Sequence, residues 1–123
     1  MVTLIHNTPD YKRLEGNPVQ SVPFYVGQDI ITCLVSLQPG AIVPSHSHEH
    51  HDEIFDVLEG EGTFILDDQE IILTAGMTVC VPANTRHGLR AGDQPWILRE
   101  TVHQHVYARQ ALKRAWQKRW AKF

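Results

Sequence analysis

Through residue 103 this sequence is a succession of short apolar runs, each broken within a few residues by Gly, Pro, Asn or Asp. That punctuation leaves no room for a long helix and favours many short strands joined by tight turns. The runs predict strands over 22–26, 29–37, 42–48, 53–59, 61–66, 69–73, 77–81, 85–90 and 95–103. Gly60-Glu61-Gly62 interrupts one hairpin and Asp67-Asp68 turns another. Strands at this spacing suggest an all-β sandwich or barrel with Greek-key connections. At 123 residues the chain holds one domain with a real core and no room for a second.

Composition narrows the setting. A hydrophobic content of 42% and a charged content of 20% are ordinary for a soluble globular protein. No apolar run approaches bilayer length, and the first residues lack the basic and long apolar segments of a secretory signal. The expected location is the cytoplasm, with no membrane partner. In a reducing compartment Cys33 and Cys80, both on predicted strands, are expected as buried free thiols rather than a disulfide. Cys80 is read as a small apolar filler, not a nucleophile.

The formal charge of −3 conceals an asymmetry: six of the eleven Lys and Arg residues follow residue 100, and no Asp or Glu does. Over about 105–122, Ala108, Leu112, Ala115, Trp116 and Trp120 recur at three- and four-residue steps, without Gly or Pro. This period predicts an amphipathic basic helix (residues 105–123) laid against a β domain (residues 1–104). Its basic face reads as a solvated surface that also pairs with the acidic domain. It carries no nucleic-acid recognition motif, so no nucleic-acid partner is expected.

Chemistry concentrates between Gly40 and Gly60. His46 and His48 are two residues apart, so on an extended strand both imidazoles project from one face. Glu53 follows a turn-like stretch and opens the next apolar run. Two adjacent strands can thus aim two imidazoles and a carboxylate into one space, which points to a metal. A His-rich stretch can also be a solvated loop, but the flanking apolar strands argue for fixed geometry. His50, His51 and Asp52 fall in the turn and are read as exposed or ligand-orienting groups. Downstream, a short strand ending at Val81 runs into Pro82-Ala83-Asn84 before His87. Asn84 tolerates the left-handed backbone such a turn can need.

Together these stretches resemble the paired motifs of the cupin superfamily, in its small single-domain form. The first motif matches at Gly40, His46, His48, Glu53 and Gly60, and the second at Gly76, Pro82 and His87. The chain departs at Asn84, where the family usually has Gly, and at Ala91, where it often has Asn; neither departure removes a ligand. The resemblance implies a cupin β-barrel (a double-stranded β-helix or jelly roll). It also implies a metal held by His46, His48, Glu53 and His87. Three imidazoles and one carboxylate suit iron, manganese, nickel, zinc or cobalt, and a four-ligand set with open positions leans towards an octahedral ion.

Alternation supplies the expected cavity lining. With His46 and His48 inward, Ile42 and Pro44 follow; with Glu53 inward, Phe55 and Val57 follow; with His87 inward, Thr85 and Leu89 flank it. On the last strand either Arg99 or Glu100 faces in. Arg99 would suit an anionic ligand, and Glu100 would offer a second acid or base. Phe55, Val57, Leu89, Arg99 and Glu100 are therefore the candidate substrate-binding residues. The largely apolar lining favours a metal-dependent, dioxygenase-like enzyme acting on a small molecule. The alternatives are a small-ligand or metal-sensing module and a metal-dependent isomerase or decarboxylase. Cupins of this size usually pair, so a homodimer is expected, with Ile54, Leu58 and the tail tryptophans as surfaces to be covered.

Overall fold

Turn residues cut the chain into nine strands. In the computed structural model, which describes residues 4–104, these are β1 (Val19–Val26), β2 (Ile30–Leu37), β3 (Ile42–His46), β4 (Glu53–Glu59), β5 (Glu61–Leu66), β6 (Gln69–Thr74), β7 (Thr78–Val81), β8 (His87–Ala91) and β9 (Trp96–His103), preceded by one 3-10 turn at Thr8–Tyr11. Left-handed backbone falls at turn positions, including Asp67 (φ 55°), Asn84 (φ 65°) and Gly60 (φ 77°). Gly60 has a second constraint, because a Cβ there would run into the Pro95 carbonyl.

Every strand pairing is antiparallel. One sheet has the order β1-β2-β9-β4-β7 and the other β3-β8-β5-β6. The chain passes between sheets at β2–β3, β3–β4, β4–β5, β6–β7, β7–β8 and β8–β9, the wrapping of a double-stranded β-helix. Inner-face residues Val35, Leu37, Phe55, Val57, Phe64, Leu89, Trp96 and Leu98 form one buried cluster between the sheets. Each such side chain contributes about 1.5–3 kcal/mol by leaving water. The other face of the larger sheet is also partly covered: Leu34, Ser36 and Ile97 are buried, and Ser36 Oγ accepts a hydrogen bond from the Arg13 backbone N–H at 3.1 Å.

Two expectations need correction, and a third falls beyond the residues described. The anticipated helix over 105–122 lies outside the described residues, whose elements are strands and one 3-10 turn, so they do not bear it out. Cys33 is a buried thiol outside any disulfide, but Cys80 is exposed, because it shares the outer face with its cross-strand partner Ile54. Ile42 and Pro44 are exposed rather than inward. The cause is a bulge: Val43 pairs with Leu89 and His46 with His87, three steps on β3 against two on β8. Pro44 lacks the N–H that regular pairing would use, and the extra residue exchanges the faces of β3 at that point.

Candidate metal centre

The bulge decides where His46 points. It lets Val43 pack on the core and still turns His46 inward three residues later, beside His87 across the ladder. Gly88 makes the space, since a Cβ there would stand 2.9 Å from Ser45 Oγ and 2.9 Å from the Val43 carbonyl oxygen. Glu53 starts β4 in the opposite sheet, with Phe55 and Val57 on its inner face. His48 lies in the loop between β3 and β4, and two contacts tie that loop to the turn after β7. The Asn84 N–H donates to the His48 carbonyl at 2.8 Å, and the Ala83 N–H donates to Asp52 Oδ1 at 3.0 Å.

His46, His48, Glu53 and His87 thus converge, each offering a ligand atom within 4.8 Å of the others. The orientation of two rings is fixed from behind. His46 Nδ1 lies 2.9 Å from the Pro44 carbonyl and His87 Nδ1 lies 2.9 Å from the Thr85 carbonyl. A carbonyl only accepts, so each Nδ1 carries the proton and each neutral Nε2 presents a lone pair. Glu53 Oε2 stands 2.8 Å from His87 Nε2 and 3.2 Å from His48 Nε2. Glu53 and His87 are only 2% and 1% exposed, and neither carboxylate oxygen nor His87 Nε2 has a well-formed hydrogen bond. Buried acceptors facing one another require a positive centre. The donor set therefore fits a divalent cation, and its nitrogen and oxygen character is that of the borderline and harder transition ions.

The titrations agree with this field. Burial alone would push the Glu53 carboxyl up, but the adjacent His48, His87 and Glu100 side chains outweigh it and hold the group well below the usual carboxylate range. For His87, burial lowers the imidazole, yet the neighbouring carboxylate and the Thr85 carbonyl raise it overall. His46 is lowered, by burial first and then by the adjacent imidazoles.

The cross-strand register separates the remaining candidates. Glu100 pairs with Phe55 and Arg99 with Asp56, so Glu100 shares the inner face while Arg99 lies outside. Arg99 is held there by Asp56, with Nε and Nη2 at 3.2 and 3.0 Å from Oδ2. It therefore does not share the face that carries the His/Glu cluster. Phe55, Val57 and Leu89 are all core residues, 2% exposed each, and Phe55 reaches the His87 ring edge-on at 5.9 Å. One neighbour escaped sequence reasoning: the Phe64 ring stacks on His87 at 6.1 Å and 4°. Its signal was the alternation Gly62-Phe64-Leu66 on β5, which places Phe64 on the inner face.

A two-sheet antiparallel barrel with a His/Glu cluster at the junction of its sheets defines a class of protein. The Cupin domain family profile matches residues 33–105, and the chain belongs to that family. Over 51 residues it is 47% identical to quercetin 2,3-dioxygenase of Bacillus subtilis (strain 168), a match spanning 42% of this chain and 15% of that enzyme. Among solved structures it is similar to a protein of Thermus thermophilus, with a TM-score of 0.77 and 25% identity over 82% of this chain and 97% of that one. A cupin from Desulfovibrio desulfuricans gives a TM-score of 0.73 and 25% identity over 83% and 97% of the two chains. Among the described residues no helix is long and apolar enough to cross a membrane.

Proposed function

We propose that this protein is a metal-dependent enzyme of the dioxygenase type, acting on a small, largely apolar or aromatic molecule in the barrel. The observation that carries the reading is the convergence of three imidazoles and a buried carboxylate beside aromatic rings. His46, His48, His87 and Glu53 would hold the ion, and the buried Phe55 and Phe64 against His87 keep water from that side of it. When bound, a redox-active ion would bring substrate and dioxygen together and stabilise negative charge on oxygen. Glu100 shares the inner face with Glu53 and would serve as a second acid or base, exchanging a proton with a substrate there. The local similarity to quercetin 2,3-dioxygenase supports an oxygen-dependent reaction, although the chain spans a small part of that enzyme.

The deciding experiment measures metal content after purification without a chelating tag, then dioxygen uptake with iron(II) across small phenols and diketones. Stoichiometric metal with substrate-dependent uptake is the expected result. Stoichiometric metal without uptake would move the assignment to an isomerase, a decarboxylase or a ligand-binding module. Failure to bind metal after reconstitution would overturn the reading.

A further inference from the structure

On the outer face of the five-stranded sheet, Ile30, Thr32, Ile54 and Thr101 floor a groove of about 390 Å³, walled by Leu4 and Phe24 of the N-terminal region. Ile30 and Ile54 remain 46% and 40% exposed there. The one guanidinium in its lining, Arg99, is neutralised by Asp56. The groove begins where the chain leaves β9. The Gln104 N–H donates to the Asp29 carbonyl at 3.0 Å, and His103 pairs with Ile30, so the chain passes residue 104 at the groove's edge. Nineteen residues follow, 105–123, with Leu112, Trp116 and Trp120 at helical spacing. They carry six Lys and Arg and no acid, a formal +6. Residues 1–104 carry fourteen Asp and Glu against five Lys and Arg, a formal −9.

We propose that this groove is the seat of the chain's own residues 105–123. The apolar side chains of the segment cover Ile30 and Ile54, and its basic residues meet the acidic domain. Proximity supplies the first reason: a segment starting at the groove's edge engages at a high effective concentration. Complementary charge supplies the second. The inference does not depend on the metal or on the proposed reaction.

Limited trypsin digestion of the full chain tests it, because Arg109, Lys113, Arg114 and Lys118 are cleavage points within the segment. Two barrel variants are compared: Ile54→Arg in the groove and Ile72→Arg on the outer face of the other sheet, where Ile72 is 66% exposed. Wild type and Ile72→Arg should be cut slowly after those residues, and Ile54→Arg on the order of tenfold faster, since cleavage tracks the released population. A Trp116→Ser/Trp120→Ser chain, which leaves the barrel untouched, should show the same acceleration if Ile54→Arg fails to fold. Equal cleavage in all chains would overturn the proposal. So would protection that rises with protein concentration alongside a sedimenting dimer, which would give the groove to a second copy.

Discussion

Glu53 Oε2 stands 2.8 Å from an Nε2 of His87 that donates to it only in the charged ring, because Nδ1 already gives its proton to the Thr85 carbonyl. With the ring neutral, two acceptors are held together by backbone on one side and by the packing of Phe55 and Phe64 on the other. The relationship makes the carboxylate's charge, not its shape, the quantity that matters. Glu53→Gln keeps the volume and removes the charge. It should lower affinity for a divalent ion by more than about 100-fold, beyond the 10–100-fold typical of losing a ligand-orienting group. Metal analysis by mass spectrometry with circular dichroism checks this; retained stoichiometric metal in a folded variant would remove Glu53 from the ligand set.

Acid and base should act on the metal-free protein in opposite senses. The depressed Glu53 stabilises the fold above its ordinary value of 4.5, and that contribution is lost as pH falls through its folded value. The raised His87 stabilises below its ordinary value of 6.5, and that contribution is lost as pH rises through its folded value. His46, lowered by burial, costs stability once pH drops below 6.5. A metal must displace the His87 proton, so the rise in Tm that it produces should grow from about pH 6 to about pH 8. Thermal melts with and without metal measure it, and a pH-independent increment would mean that the metal sits away from His87.

Gly88→Ala should disturb the site without touching a ligand. Its methyl would press on Ser45 and the Val43 carbonyl inside the bulge and push His46 away from His87. A loss of about 1–3 kcal/mol in unfolding free energy is expected, with weakened metal binding. Gly62→Ala, whose methyl would enter the Trp96 ring, should cost a similar amount and leave metal affinity of the folded fraction unchanged. Denaturant melts paired with metal titration separate the two.

Asp56→Asn breaks the ion pair with Arg99 on the outer face, where the two side chains are 23% and 42% exposed. The expected cost is under about 1 kcal/mol, with no change in metal binding. Glu100→Gln, on the inner face of the same strand pair, should keep the metal and lower turnover with any substrate that the uptake screen identifies. Equal effects of the two variants on turnover would show that the faces of β9 are not functionally distinct.

Much of this was legible in the sequence because β-structure announces itself through punctuation. All nine strands fall where the turn residues put them, most with ends shifted by one or two residues and β1 beginning three residues earlier. His46, His48 and Glu53 could be picked out because their spacing survives in linear form, and His87 joined them through the resemblance to the second cupin motif. Facing was harder. Alternation placed Phe55 and Val57 inward correctly because β4 runs regularly between Glu53 and Val57. It misplaced Ile42 and Pro44 because a bulge adds a residue that no periodicity reveals. For β9, Trp96, Ile97 and Leu98 are all buried, so its pattern could not choose between Arg99 and Glu100; only pairing with Phe55 and Asp56 does.

The bulge in β3 also says what kind of change this chain can absorb over generations. Along residues 40–46, letters are cheap and pairing is not. Ile42 and Pro44 face solvent, so many side chains could replace them without reaching His46. Regular pairing at the same residue count would carry either Val43 or the imidazole to the outside of the barrel. Losing one residue together with the bulge would leave two steps on β3 against two on β8 and keep both inside. Divergence among its descendants should therefore tolerate a β3 shortened by one, and a full-length β3 without its bulge would mark a lineage that has given up the ion.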